Sequence, residues 1–174
     1  SKNKGNTVDP QGMIDQYGAD AVRLFMMFAA PPEQALEWSD DGLQGAFRFL
    51  NRLWLAVDLH LTRGSHSEIF IDSLAPSDKD LRRKVHQTIR KVSDDIGRRY
   101  TFNTAIAATM ELLNAINRFD HVSDQSLSVE REALNTIVLV LSPIAPHICH
   151  RLWHLLGHKD PLIDEEWPLF DKNY

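Results

Sequence analysis

Apolar residues return every three or four positions through most of this 174-residue chain, in segments broken by prolines, a glycine or short polar runs. That is the period of a helix burying one face, and no alternation with period two recurs to compete with it. No internal repeat and no glycine-rich phosphate loop is visible. With short connections between the segments, the expectation is an all-α fold, an antiparallel helix bundle of about five helices.

Local punctuation bounds the helices. Asp9 caps a first helix that Pro10 opens and Gly18 closes in a left-handed conformation. Asp20 lies near the start of "AVRLFMMFAA", which stops at Pro31 and Pro32 because a proline ring cannot continue the ladder. Ser39 caps the next helix, with Asp40 and Asp41 meeting the positive end of its dipole. This helix is expected to reach about residue 62 and to bury Leu43, Phe47, Leu50, Trp54, Val57 and Leu61. Arg48 and Arg52 take the other side, and Leu55 and Leu59 beside them predict burial on two faces in its second half.

Residues 63–76 read as a loop, and Ser77 with Asp80 has the spacing of a capping box. The helix it opens carries the stripe Leu81, Val85, Ile89, Val92 and Ile96. "FNTAIAATMELLNAI", capped by Thr101 or Asn103, buries Ile106, Leu112, Leu113 and Ile116. "VEREALNTIVLVL" breaks at Ser142 and Pro143, and a last helix opens at Pro146. Met26, Met27 and Phe28 read as core rather than as ligands.

At 43% hydrophobic residues the chain can build one sizeable core. One cysteine excludes an intramolecular disulfide, and no apolar run approaches the roughly 18 residues that span a membrane. These features predict a cytoplasmic protein without a membrane partner. The net charge of −5 is unevenly spread. Residues 78–104 hold eight Lys or Arg against four Asp, while the tail from Lys159 is acidic.

Two clusters invite a functional reading. "HICHRLWHLLGH" places His147, His150, His154 and His158 on one narrow face. His150 and His154 could supply two ligands to a zinc ion, but such sites need a third or fourth. His147 and His158 lie about 16 Å apart at 1.5 Å per residue, so a solvated or partner-facing stripe is expected and no metal site. Cys149 leans toward the apolar edge.

The basic helix face has two readings. Arg90 with Asp94 and Lys91 with Asp95 can form surface pairs, in the less favourable order. Arg83, Lys84, Arg98 and Arg99 lack an evident helical acid partner, which suits phosphate contact. Catalysis has little support: no HExxH, serine elbow or dinucleotide fingerprint is present, and Glu33 and Glu37 read as surface groups.

The stretch from "SKNKGNTVDPQGMIDQYGADAVRLFMMFAAPPEQ" to "LNRLW", with "DDIGRRYTFNTAIAATMELLNAI" and "SPIAPHICHRLW", resembles bacterial leucyl-tRNA synthetases in the segment that follows their catalytic domain. The resemblance covers essentially the whole chain. It implies that Ser1 is the last residue of the KMSKS signature and that the chain, starting in mid-motif, is a piece of a longer protein whose catalytic domain is elsewhere. Residues 1–38 would then be the tail of that loop and connecting helices, 39–158 the anticodon-binding-type bundle, and 159–174 an acidic C-terminal tail.

The parent would be a leucine–tRNA ligase using ATP and magnesium, and this piece alone would be inactive, with no catalytic residue and no cofactor of its own. Its partners would be leucine tRNA and the absent catalytic domain, not DNA. Separation from that domain would expose an apolar patch at "LFMMF". By position, Lys2 and Lys4 would lie near the active-site end. By charge and periodicity, Arg83, Arg90, Lys91, Arg98 and Arg99 are the candidates for tRNA backbone contact. The rival readings are the same region of a valine, isoleucine or methionine enzyme, a helical protein-interaction module using the histidine stripe, and a metal-binding bundle.

Overall fold

The computed structural model describes residues 9–30, 33–64 and 67–174, and among these every regular element is helical. The α-helices are α1 (Pro10–Tyr17), α2 (Ala19–Ala29), α3 (Asp40–Thr62), α4 (Pro76–Asp94), α5 (Phe102–Asn117), α6 (Ser126–Leu141) and α7 (Pro146–Leu155). The all-α expectation holds, with seven α-helices among the described residues where about five were expected.

Contacts between side chains fix the topology. The last turn of α3 meets the start of α6 through His60 and Glu130, and α4 runs against α5 through Lys84 and Glu111. Successive helices α3 to α6 therefore alternate in direction. α3 and α5 run side by side in the same sense, as do α4 and α6, where Asp78 meets Ser126 and Arg82 meets Glu132.

Several helix starts match their sequence signals. Asp9 accepts the Gln11 N–H at 3.0 Å, and the Ser39 hydroxyl accepts that of Gly42 at 3.1 Å. Gly18 closes α1 with φ +84° but ψ 154°, a positive-φ turn outside the left-handed helical region. No side chain clashes with a Cβ there, so backbone strain is what reserves the position for glycine. Gly42 is required for a different reason. A Cβ would stand 2.7 Å from the Phe25 ring, so its absence lets α2 close onto α3.

The start of α4 departs from expectation. The helix opens at Pro76, one residue before Ser77, and Asp78 reaches back to accept the Ala75 N–H at 2.9 Å. Asp78 is fully buried and also accepts the hydroxyls of Ser123 and Ser126 at 2.6 and 2.7 Å. A carboxylate held by three donors caps the start of α4 and ties it to the start of α6 through two serine hydroxyls, so this arrangement overrides the local Ser77 and Asp80 spacing.

The buried stripe of α3 is Leu43, Ala46, Phe49, Leu50, Leu53, Ala56, Val57 and His60. Trp54 and Leu61 are more than a third exposed, and Leu55 and Leu59 are 63% and 51% exposed. The predicted stripe was rotated toward the larger apolar residues, whereas the core takes the face where Ala46 and Ala56 permit close approach. The α4 stripe holds for Leu81, Val85, Ile89 and Val92, with Ile96 only half-buried. The four apolar residues predicted for α5 are all buried. In α2, Leu24 and Phe25 are core, Met27 packs at its edge, and Met26 and Phe28 face outward.

Two buried carboxylates hold the helix ends. Glu130 is 1% exposed and accepts from His60 Nδ1 at 2.6 Å, His121 Nε2 at 3.2 Å and the Arg63 guanidinium. Burial pushes its pKa up, but those donors and the Arg63 charge outweigh that and hold it below the ordinary carboxylate range. Asp95, also 1% exposed, opens a five-residue π-helical turn to Arg99, after which Tyr100 sits at φ 55° and ψ 32°. Its carboxylate accepts from Lys91 at 2.8 Å and the Thr104 hydroxyl at 2.6 Å, and its carbonyl accepts the Thr101 N–H at 2.9 Å. The bulge turns the chain from α4 into α5.

Glu130→Gln is expected to cost on the order of 3 kcal/mol at pH 7, the scale of breaking a buried ion pair, read from urea unfolding. Because the folded pKa lies below the unfolded one, this stabilisation is complete above about pH 4.5 and is lost as pH falls through the folded value. The variant should therefore lack that part of the acid decline. Asp95→Ala should cost about 1.5 to 3 kcal/mol in the same assay, the range for hydrogen bonds to a charged group. A midpoint unchanged by either substitution would remove that carboxylate from the account.

Candidate nucleic-acid interface

The basic residues of α4 and the π turn share one exposed side, and the structure pairs most of them with acids. Arg83 bonds Asp80 at 2.5 Å, Arg98 forms a two-pronged bond to Asp94 at 2.5 and 3.0 Å, and Arg99 lies 3.6 Å from Asp95. Lys84 crosses to Glu111 on α5 at 2.7 Å. The expectation that these four lacked acid partners is corrected. In three of them the acid precedes the base by three or four residues, the orientation that the helix dipole favours. Lys91 pairs with Asp95 as anticipated, while Asp94 turns to Arg98 and leaves Arg90 without an ion pair among the described residues.

The Arg98 bond holds Asp94 below the ordinary carboxylate range, and the Lys84 bond does the same for Glu111. Both pairs are exposed, so they are weak and salt-sensitive and their cations can exchange partners. An open cleft lies beside them, lined by Gln87, Arg90, Lys91, Asp94, Arg98 and Phe170. Lys2 and Lys4, with Ser1, lie outside the described residues.

The C-terminal residues help shape this side. Trp167 donates from its indole to the Ser93 hydroxyl at 2.8 Å, and the Asp171 N–H reaches His86 Nδ1 at 3.1 Å. Tyr174 stacks on His86 with ring centres 4.7 Å apart and accepts from Arg82 at 2.8 Å. Burial lowers the His86 pKa, so the ring that receives the Asp171 amide favours its neutral form. Arg82 also bonds Glu132 through two nitrogens, which commits it to holding α4 on α6. The acidic tail thus lies along α4, beside Lys79 and Arg83.

The histidines are exposed except the last, but each is engaged within the chain. His147 bonds Asp20 at 3.0 Å, and His150 and His154 meet through their Nε2 atoms at 3.1 Å. Helix α7 ends at Leu155, three residues short of His158, which stacks on the buried Trp153 at 3.5 Å. The stripe expected over four histidines therefore spans three, because Gly157 at φ 89° reverses the chain. No group of three or more His, Cys, Asp or Glu side chains is placed to hold a metal ion among the described residues. Cys149 is fully buried, and burial pushes its thiol up.

The comparisons with known proteins agree with this architecture. A profile described as the anticodon-binding domain of tRNA ligase matches residues 78–174, and one for class I tRNA synthetases (I, L, M and V) matches residues 1–39. The leucine–tRNA ligase of Chromohalobacter salexigens is 63% identical over 172 residues, 99% of this chain and 20% of the relative. That of Marinobacter nauticus is 60% identical over 173 residues, again 99% and 20%. The chain thus spans about a fifth of the length of the curated relatives it matches.

Among solved structures, the Agrobacterium radiobacter K84 LeuRS, in a ternary complex with tRNA and LeuAMS, superposes with a TM-score of 0.87 at 31% identity. It covers 99% of this chain and 23% of that one. Methionyl-tRNA synthetase of Mycobacterium tuberculosis, with a TM-score of 0.70 at 19% identity over 87% of this chain and 35% of that one, shares the fold. The chain belongs to the family of anticodon-binding domains of tRNA ligases, and its whole length resembles the corresponding segment of the bacterial leucine enzymes.

Proposed function

We propose that this chain is the tRNA-docking helical segment of a leucine–tRNA ligase, whose full-length form joins leucine to its tRNA with ATP. The observation that carries the reading is the 63% identity to a leucine–tRNA ligase across 99% of the chain. The Agrobacterium relative, solved with tRNA bound, supports leucine tRNA as the partner. The catalytic body of the same polypeptide is the second partner, and Met26 and Phe28, exposed on α2, are the apolar residues available to it. The cytoplasm is the proposed setting, and no helix among the described residues is long and apolar enough to cross a membrane.

ATP and magnesium belong to that body. We assign the catalytic chemistry to that body as well. What this segment does is bind and orient. Charged side chains on a rigid bundle position a nucleic-acid backbone and read its shape, with little base readout. Arg90 fits this task at least cost to the fold, being exposed and without an acid partner among the described residues, while Arg98 beside it can exchange its exposed Asp94 for phosphate and Lys91 could do so only by uncovering the buried Asp95.

The test is a salt series of binding by the full-length parent to leucine tRNA and to an unrelated tRNA. Preferential binding that weakens steeply with salt is expected, and absence of binding at low salt would overturn the proposal. Arg90→Glu should weaken binding severalfold and reduce the salt slope by about 1, the share of one phosphate contact. Unchanged affinity and slope would retire the α4 face.

A further inference from the structure

Two exposed histidines of α7 have no part in docking a nucleic acid as proposed above. His150 and His154 stand one turn apart, and their Nε2 atoms lie 3.1 Å from one another, closer than the 4.5 Å between the ring centres. The rings therefore lean together at their Nε2 edges. Two nitrogens at 3.1 Å, each at the usual metal–imidazole distance of about 2.0 to 2.1 Å, would subtend about 100° at a shared ion. That angle falls between octahedral and tetrahedral geometry.

A further bond prepares the pair. His154 Nδ1 lies 3.0 Å from the His158 carbonyl, which can only accept, so in the neutral ring Nδ1 carries the proton and Nε2 keeps a lone pair. Metal-ligating histidines characteristically have their other ring nitrogen tied to a carbonyl or carboxylate in this way, which fixes tautomer and ring orientation. The His158 carbonyl is itself held in place. Gly157 at φ 89° turns the chain back after α7, and the His158 ring stacks on Trp153 at 3.5 Å and meets Asn135 Oδ1 at 3.0 Å. The His150 ring is exposed, so its proton can move to Nδ1 and be met by water, freeing Nε2. His154 also lies in the last turn of α7, where the negative end of the helix dipole favours a cation.

We propose that His150 and His154 form a two-nitrogen chelate for a late first-row divalent ion, Cu2+, Ni2+ or Zn2+, on the exposed face of α7. Imidazole suits these ions, whereas Mg2+ and Ca2+ take oxygen ligands. His147, one turn earlier, is committed to Asp20 at 3.0 Å, and Cys149 is fully buried, so neither completes the site. Structural and catalytic zinc sites need three or more protein ligands, so an ion held by two is completed by water and exchanges with solvent. Affinity should be highest for Cu2+, which heads the order for nitrogen ligands. The proposal is independent of the tRNA-docking reading. It also revises the expectation of no metal site, because residue spacing alone could not show that the two Nε2 edges meet.

The experiment titrates Cu2+ into the full-length parent, purified without a histidine tag, beside its variants His150→Gln, His154→Gln and, as a control, His147→Gln. Bound copper is measured by equilibrium dialysis and by electron paramagnetic resonance, in which imidazole ligation splits the signal through nitrogen coupling. All three positions are exposed, and circular dichroism checks that helicity is unchanged. The wild type should bind one equivalent at least about tenfold more tightly than either the His150 or the His154 variant, since loss of an outer partner of a ligand alone costs that much. Its signal should show coupling to two nitrogens, which either of those substitutions removes, while His147→Gln and added Mg2+ leave it unchanged. Copper binding and coupling unaltered in both variants would overturn the chelate. So would a wild-type signal without nitrogen coupling, a result that depends on no variant. Loss of the same equivalent in His147→Gln would overturn the assignment to two nitrogens.

Discussion

A carboxylate taken out of water has to be answered, and in this bundle the answers come from distant parts of the chain. Glu130 collects His60 and Arg63 from the end of α3 and His121 from the connection before α6. Asp78 collects the Ala75 N–H just before its own helix together with the hydroxyls of Ser123 and Ser126. Alternating helices could slide along one another on apolar contacts alone, since leucine and isoleucine surfaces specify register weakly. A charge that is stable at one axial position only removes that freedom. The apolar face supplies most of the burial, and the buried acids determine which residues stand opposite one another.

That division explains what could be read from the sequence. Helix identity follows from local periodicity, so the all-α character and the buried faces of α4 and α5 were legible. Caps made by an adjacent side chain, Asp9 and Ser39, were legible for the same reason. The Asp78 cap, though local to Ala75, was hidden by the competing Ser77 and Asp80 spacing, and its bonds to Ser123 and Ser126 lie more than forty residues away. The α3 stripe misled by size: Trp54 and Leu61 carry more apolar surface than Ala46 and Ala56, but only the small residues let neighbouring helices close in. The burial of Cys149 followed correctly from its place at the apolar edge.

The candidate site was legible as a charge distribution and illegible as a set of free charges. Counting Lys and Arg located α4, yet acids three or four residues before Arg83, Arg98 and Arg99 already hold them. Pairing order along the helix carried that signal and could have revealed it. The tail from Lys159 was recognisable by its acids, but not its seat on α4, which depends on single aromatic contacts from Trp167 and Tyr174.

Helix α2 touches the corner between α6 and α7 in a way that uses both ends of the helix dipole. Asp20 accepts the Ile148 N–H at 2.7 Å at the positive start of α7, while Arg23, three residues on, donates to the carbonyls of Ile144 and Pro143 at 2.9 and 3.0 Å, just beyond the end of α6. One turn of α2 therefore grips a bend in the chain from both sides, as a hinge pin grips its knuckles. The start of the bundle and the corner near its end are thus fixed to one another through main-chain groups, at a place where neither helix could satisfy its own terminus.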